Sequence, residues 1–66
     1  MDQLNLARDV AIGLGGSITD NTSGFITCFA TEDIAIQYVL SLDDLDEIEA
    51  ERQDRCAVVI KISSLL

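Results

Sequence analysis

The sequence predicts an α+β domain of two layers, with helices packed on one face of a small three-stranded mixed sheet. Three observations carry this reading. Apolar residues recur at helical spacing near the start of the chain. The glycines at 13, 15 and 16 follow them and lead into short runs of β-branched and aromatic residues. The last clear element is CAVVIKI, a period-two pattern with apolar residues on both of its faces.

Residues 3–14 read as a helix, because Leu4, Ala7, Val10, Ala11 and Leu14 fall on one stripe. Asp2 caps its start, and its charge suits the positive end of the helix dipole. Arg8 and Asp9 lie off the stripe and should face water. Gly15 or Gly16 ends the helix, since a residue just past a helix commonly needs a positive φ that glycine adopts without steric cost. Ser17–Asp20 is a short strand, Asn21–Gly24 a turn, and Phe25–Ala30 a second strand, together a hairpin.

Thr31 is a second cap, with Glu32 and Asp33 in the first turn of the helix it opens. The segment Ile34–Leu42 is read as that helix, although Ile34, Ile36, Tyr38 and Leu40 also alternate as a strand would. Ser41 can cap again, and Leu42, Leu45 and Ile48 give an apolar edge at a spacing of three, so a further helix is expected toward residue 53. An unbroken helix from 32 to 53 would be about 33 Å long. That is twice the first helix, so a break is expected near Ser41–Asp44. Cys56–Ile62 reads as a strand with apolar residues on both faces up to Lys61, which suits a central or partner-covered strand. The expected order is α-β-β-α(-α)-β in one domain, residues 1–66.

The chain has 66 residues, 12 acids against 4 bases, a net charge of −8 and no histidine. A domain this small buries only about 60% of the surface of its unfolded chain, and oligomerisation is a common remedy. Apolar residues make up 48% of the chain, which separates it from a disordered polyanion. The acidic balance argues against nucleic acid, which needs Lys and Arg to displace counterions, and against anionic membranes. It favours a basic protein surface as partner. The acidic start resembles no signal peptide and no run is long enough to span a membrane, so the expected location is cytoplasmic. Cys28 and Cys56 are then reduced thiols, buried in apolar strands.

No catalytic, cofactor or metal residue is assigned. The glycines lack both the Gly-x-Gly-x-x-Gly order and the Gly-Lys-[Ser/Thr] of phosphate loops, and they sit at the negative end of a helix. A thiolate or serine nucleophile would need a histidine or another base. Asp43, Asp44, Asp46 and Glu47 lack the spacing of a calcium loop.

What remains is the acidic segment: Asp43, Asp44, Asp46, Glu47, Glu49, Glu51 and Asp54, with Arg52 among them. On a helix, Asp43, Glu47, Glu51 and Asp54 would form a column. Such a segment is either a solvated face or a surface that docks on a basic, nucleic-acid-handling protein. In size and composition the chain is similar to phage-encoded inhibitors of nucleic-acid-binding defence complexes, and that resemblance implies an inhibitor that occupies a Lys/Arg surface. The alternative is a structural or regulatory homo-oligomer, or a small-ligand binder between protomers. Its self-interface would be built on Val59, Leu65, Leu66 and the 34–42 segment.

Overall fold

The computed structural model describes residues 2–63. Six elements follow in order: α1 (Gln3–Gly13), β1 (Ser17–Asp20), β2 (Gly24–Cys28), α2 (Glu32–Ser41), β3 (Ile48–Arg52) and β4 (Ala57–Ile62).

Local chemistry sets the ends of both helices. The Asp2 carboxylate accepts the Leu4 N–H at 3.0 Å, and Thr31 Oγ1 accepts the Ile34 N–H at 3.3 Å. Each cap satisfies one of the donors that a helix start leaves unpaired. Helix α1 closes on the glycines. Gly15 has φ +82°, and its N–H bonds to the Ile12 carbonyl at 3.0 Å while the Gly16 N–H bonds to the Ala11 carbonyl at 2.8 Å. These are the two bonds of a Schellman cap. Gly16 is needed for a different reason: a Cβ there would lie 2.5 Å from Thr27 Oγ1 and 2.6 Å from Phe29 Cε1.

The sheet has four strands in the order β1-β2-β4-β3, and every pair is antiparallel. This corrects the expected three-stranded mixed sheet. The missing strand is β3, which occupies residues expected to be helical. The segment IEAER is rich in good helix formers. It also alternates, and that alternation fits the pleat: Ile48 is buried and Ala50 half-buried, while Glu49 and Glu51 are exposed. Tertiary burial of Ile48 against the core overrides the intrinsic preference. The expected break at Ser41–Asp44 is present, since α2 ends at Ser41. A turn and loop follow it, not a second helix.

Both helices lie on the sheet face carrying Phe25, Thr27, Val58 and Ile60, whose register pairs Phe25 with Ile60 and Thr27 with Val58. The core joins Ala7 and Ala11 of α1, Ala35 and Tyr38 of α2, and Phe25, Phe29, Leu42, Ile48, Val58 and Ile60. Ala7, Ala11 and Ala35 are the fully buried residues of the two helices beside Tyr38. The Tyr38 hydroxyl donates to the Ala7 carbonyl at 2.7 Å and ties α2 to α1. Burial pushes the Tyr38 phenol pKa well above its ordinary value. The Phe29 and Tyr38 rings meet at 5.0 Å between centroids, tilted by 51°. The opposite sheet face carries Ser17, Thr19, Ile26, Cys28, Ala57, Val59, Lys61, Glu49 and Glu51, and neither helix covers it.

Candidate acidic interaction surface

The acidic segment divides into three parts. Asp43 and Asp44 sit in the turn after α2, where the Leu42 and Asp43 N–H groups bond back to the Val39 and Leu40 carbonyls. Asp46 and Glu47 form the approach to β3. There Gln3 reaches across from α1, its Nε2 donating to Asp46 Oδ1 at 3.3 Å and its Oε1 accepting the Glu47 N–H at 2.8 Å. Glu49 and Glu51 project from β3 onto the uncovered face, and all six of these acids are exposed. Since residues 43–54 are turn, strand and turn, the expected helical column of Asp43, Glu47, Glu51 and Asp54 does not exist.

Asp54 also has a structural duty. It sits in the β3–β4 turn, where its Oδ1 accepts the Cys56 N–H at 3.0 Å and the Ala57 N–H at 3.1 Å. A side chain that imitates a backbone turn in this way holds the hairpin closed.

Of the four bases, Arg8 lies on α1, Arg52 in β3, the exposed Arg55 in the β3–β4 turn, and Lys61 in β4 opposite Glu49. Arg8 pairs with Asp20 at 2.6 Å and lies over the Phe25 ring at 5.3 Å from its centroid. It is therefore half-buried, not simply facing water. Arg52 pairs with Glu32 of α2 at 2.7 Å. Lys61 lies 3.8 Å from Glu51 across the β3–β4 pair. Among the described residues, Asp43, Asp44, Asp46, Glu47 and Glu49 have no ion-pair partner within 4 Å. These acids follow one another along the chain, from the end of α2 through the loop to β3, where Lys61 of β4 faces Glu49.

The cysteines correct a second expectation. Cys28 is exposed on the uncovered sheet face and Cys56 is half-buried in the hairpin turn, so neither is a buried core thiol. Cys28 lies in β2 opposite Ala57, whereas Cys56 lies one residue before β4, which starts at Ala57 and not at Cys56 as expected; the Cys56 carbonyl accepts the Phe29 N–H. Val59 is half-buried on the uncovered face between Ile26 and Glu51, while Leu65 and Leu66 lie outside the described residues.

Sequence reasoning missed the edge position of β3, which the alternation of IEAER could have signalled. Within the 34–42 segment, expected to carry surplus apolar surface, α2 exposes Ile36 at 37% and Leu40 at 68%. Among the described residues there is no pocket, no group of three or more metal-ligating side chains, and no helix long and apolar enough to cross a membrane. Comparison with protein-family models, curated proteins and solved structures gives no match.

Proposed function

We propose that the protein is a small interaction module whose acidic side docks on a basic surface of a partner protein, one that handles nucleic acid. The observation that supports this is the placement of charge: five acids close together in sequence without an ion-pair partner among the described residues, while three of the four bases, Arg8, Arg52 and Lys61, are each paired and Arg55 is in the β3–β4 turn. Like charges gathered this way repel one another and lower the stability of the fold, so a use for them outside the fold is the economical explanation. Asp43, Asp44, Asp46, Glu47, Glu49 and Glu51 form the docking surface in this reading. Asp54 is removed from it, because its carboxylate is engaged in the turn.

The test uses the purified chain to capture its partner and then measures association kinetics against salt. Glu47→Gln/Glu51→Gln and Asp2→Asn/Asp9→Asn each remove two charges, and Asn at position 2 keeps the helix cap. The first pair should slow association and flatten its salt dependence, whereas the second should change little. Equal behaviour of the wild type and both variants would leave the acidic side as a solvated face. A second reading rests on the uncovered sheet face, where Ile26 and Val59 are adjacent and only half-buried. It is self-association through that face.

A further inference from the structure

The β3 strand is an edge, and the direction of its free backbone groups follows from the hydrogen bonds at its two ends. The Ser63 N–H bonds to the Glu47 carbonyl at 3.0 Å, and the Gln53 N–H bonds to the Ala57 carbonyl at 2.9 Å. In an antiparallel ladder, hydrogen-bonded and non-hydrogen-bonded pairs alternate. Residues 47, 49, 51 and 53 therefore turn their backbone toward β4. Ile48, Ala50 and Arg52 turn their N–H and C=O groups outward, where β3 has no neighbouring strand.

The side chains beside this open row alternate in chemistry as well as direction. Glu49 and Glu51 stand on the uncovered face. Ala50, on the other face, is small and half-buried. On that same side α2 presents the row Glu32, Ile36, Leu40 at a spacing of four, and its first member is held to β3 by the Arg52–Glu32 ion pair. An incoming strand would thus meet two carboxylates on one face, which outnumber Lys61 of β4 behind them, and on the other a small side chain beside an exposed apolar row, with Arg52 already neutralised by Glu32.

We propose that β3 accepts an extended basic segment of a partner protein as a fifth strand, with Lys or Arg opposite Glu49 and Glu51 and an apolar residue opposite Ala50. Main-chain bonds to an exposed edge supply affinity in this mode, and alternate side chains supply specificity. The occupant is a basic partner and not a second copy. Two β3 strands pairing with each other would bring their Glu49 and Glu51 side chains together, and like charges across a strand pair are destabilising. The inference rests on the reading of the acidic side as a docking surface for a basic protein, and specifies how contact is made.

The probe is the synthetic peptide acetyl-Lys-Val-Lys-Val-Lys-Val-Lys-amide, compared with a version of equal charge whose valine nitrogens are methylated and so cannot donate to an edge. Backbone amide NMR titrations of the full chain should show Ile48, Ala50 and Arg52 amides shifting together and gaining exchange protection with the first peptide. Its affinity should exceed that of the methylated peptide at least tenfold. Ala50→Pro removes an outward N–H and no β3–β4 bond, so it should keep the fold and lose the difference between the peptides. Glu49→Gln/Glu51→Gln should weaken both peptides.

Equal binding of the two peptides by the wild type would overturn strand addition while leaving charge attraction, and with it the docking reading, intact. Binding of neither peptide would overturn strand addition too, with the docking reading then judged by its own salt-dependent kinetics. If Ala50→Pro fails to fold, the methylated peptide alone decides.

Discussion

Gly15 and Gly16 are adjacent, yet the structure assigns them different physical duties, and substituting each with alanine separates the two. At Gly15 the space beyond the Cα is open, with no atom within 4 Å of a built Cβ, but φ is +82°. An alanine there meets only the left-handed backbone penalty, about 1 kcal/mol. At Gly16 the backbone is ordinary and the space is not. A Cβ would sit 2.5 Å from Thr27 Oγ1 and 2.6 Å from Phe29 Cε1, and both side chains are buried. Forcing a methyl group into a packed core costs about 1–3 kcal/mol. For a domain of this size each kcal/mol lowers the melting temperature by roughly 4–8 °C. Gly16→Ala should therefore be the more damaging change. It should also be partly rescued by Thr27→Ala, which removes the blocking oxygen, a hydroxyl with no hydrogen-bond partner of its own. Gly15→Ala should show no such rescue, because it makes no contact there. Thermal or urea unfolding of the two single mutants and two double mutants measures this. A Gly16→Ala change as mild as an exposed surface substitution, or equal rescue of both by Thr27→Ala, would refute the assignment.

Tyr38→Phe removes the bond to the Ala7 carbonyl and should cost about 1 kcal/mol in chemical denaturation. Because folding raises the Tyr38 pKa, the unfolded chain loses its phenolic proton first as the pH climbs past about 10. Stability from this group is constant below that pH and should fall by about 1.4 kcal/mol per unit above it, a slope that the Phe variant lacks. Phenolate absorbance from the chain's one tyrosine should appear only with unfolding. Asp54→Ala should destabilise by about 1 kcal/mol and Asp54→Asn by much less, because the amide oxygen still accepts the two turn N–H groups. Equal melting temperatures for wild type and both variants would count against that role. Sedimentation across micromolar concentrations tests the self-association reading: a dimer lost on Val59→Lys places the contact on the uncovered sheet face, and a monomer throughout removes it.

Much of the fold could be read from local chemistry. Asp2 and Thr31 announce helix starts because a short polar side chain before an apolar stripe has one evident use. The glycines and Ser17–Asp20 follow from backbone freedom and β-branching, and the boundaries of β1 are those the sequence predicts. The Phe25–Ala30 strand runs only to Cys28, with one further bond from the Phe29 N–H. The failure lies at 43–54. Leu42, Leu45 and Ile48 are spaced as a helix edge would be, but they are a helix cap, a loop residue and a strand residue that all turn toward one core. A spacing of three over three residues cannot distinguish these cases. Deciding it takes the β4 partner, whose pairing with 48–52 is a long-range fact. The acids of the site were legible as a group. Their arrangement was not, because it depends on that same strand.

The acids of β3 are not a requirement of the sheet. The unit α1-β1-β2 is followed by α2-β3-β4, and the order β1-β2-β4-β3 sets the two hairpins back to back about the β2–β4 pair. Each hairpin has an edge strand with two residues on the uncovered face: Ser17 and Thr19 in β1, Glu49 and Glu51 in β3. On this face β1 does the structural work without charge, its one acid, Asp20, pairing with Arg8 of α1, so β3 does not need charge on this face for it. The exposed Glu51–Lys61 pair across β3 and β4 is worth little to stability, so two explanations remain, a guard against pairing with a like edge and a contact for a basic partner. The variant Glu49→Ser/Glu51→Thr places the β1 chemistry on β3 and separates them. Its stability should stay within about 0.5 kcal/mol of the wild type, as for other surface changes. If the acids only guard the edge, the variant should self-associate in sedimentation and still bind the captured partner. If they contact the partner, it should remain as the wild type in sedimentation and lose association rate. Unfolding of the variant would show that the charges hold the sheet together, and the comparison of the two edges would then be wrong.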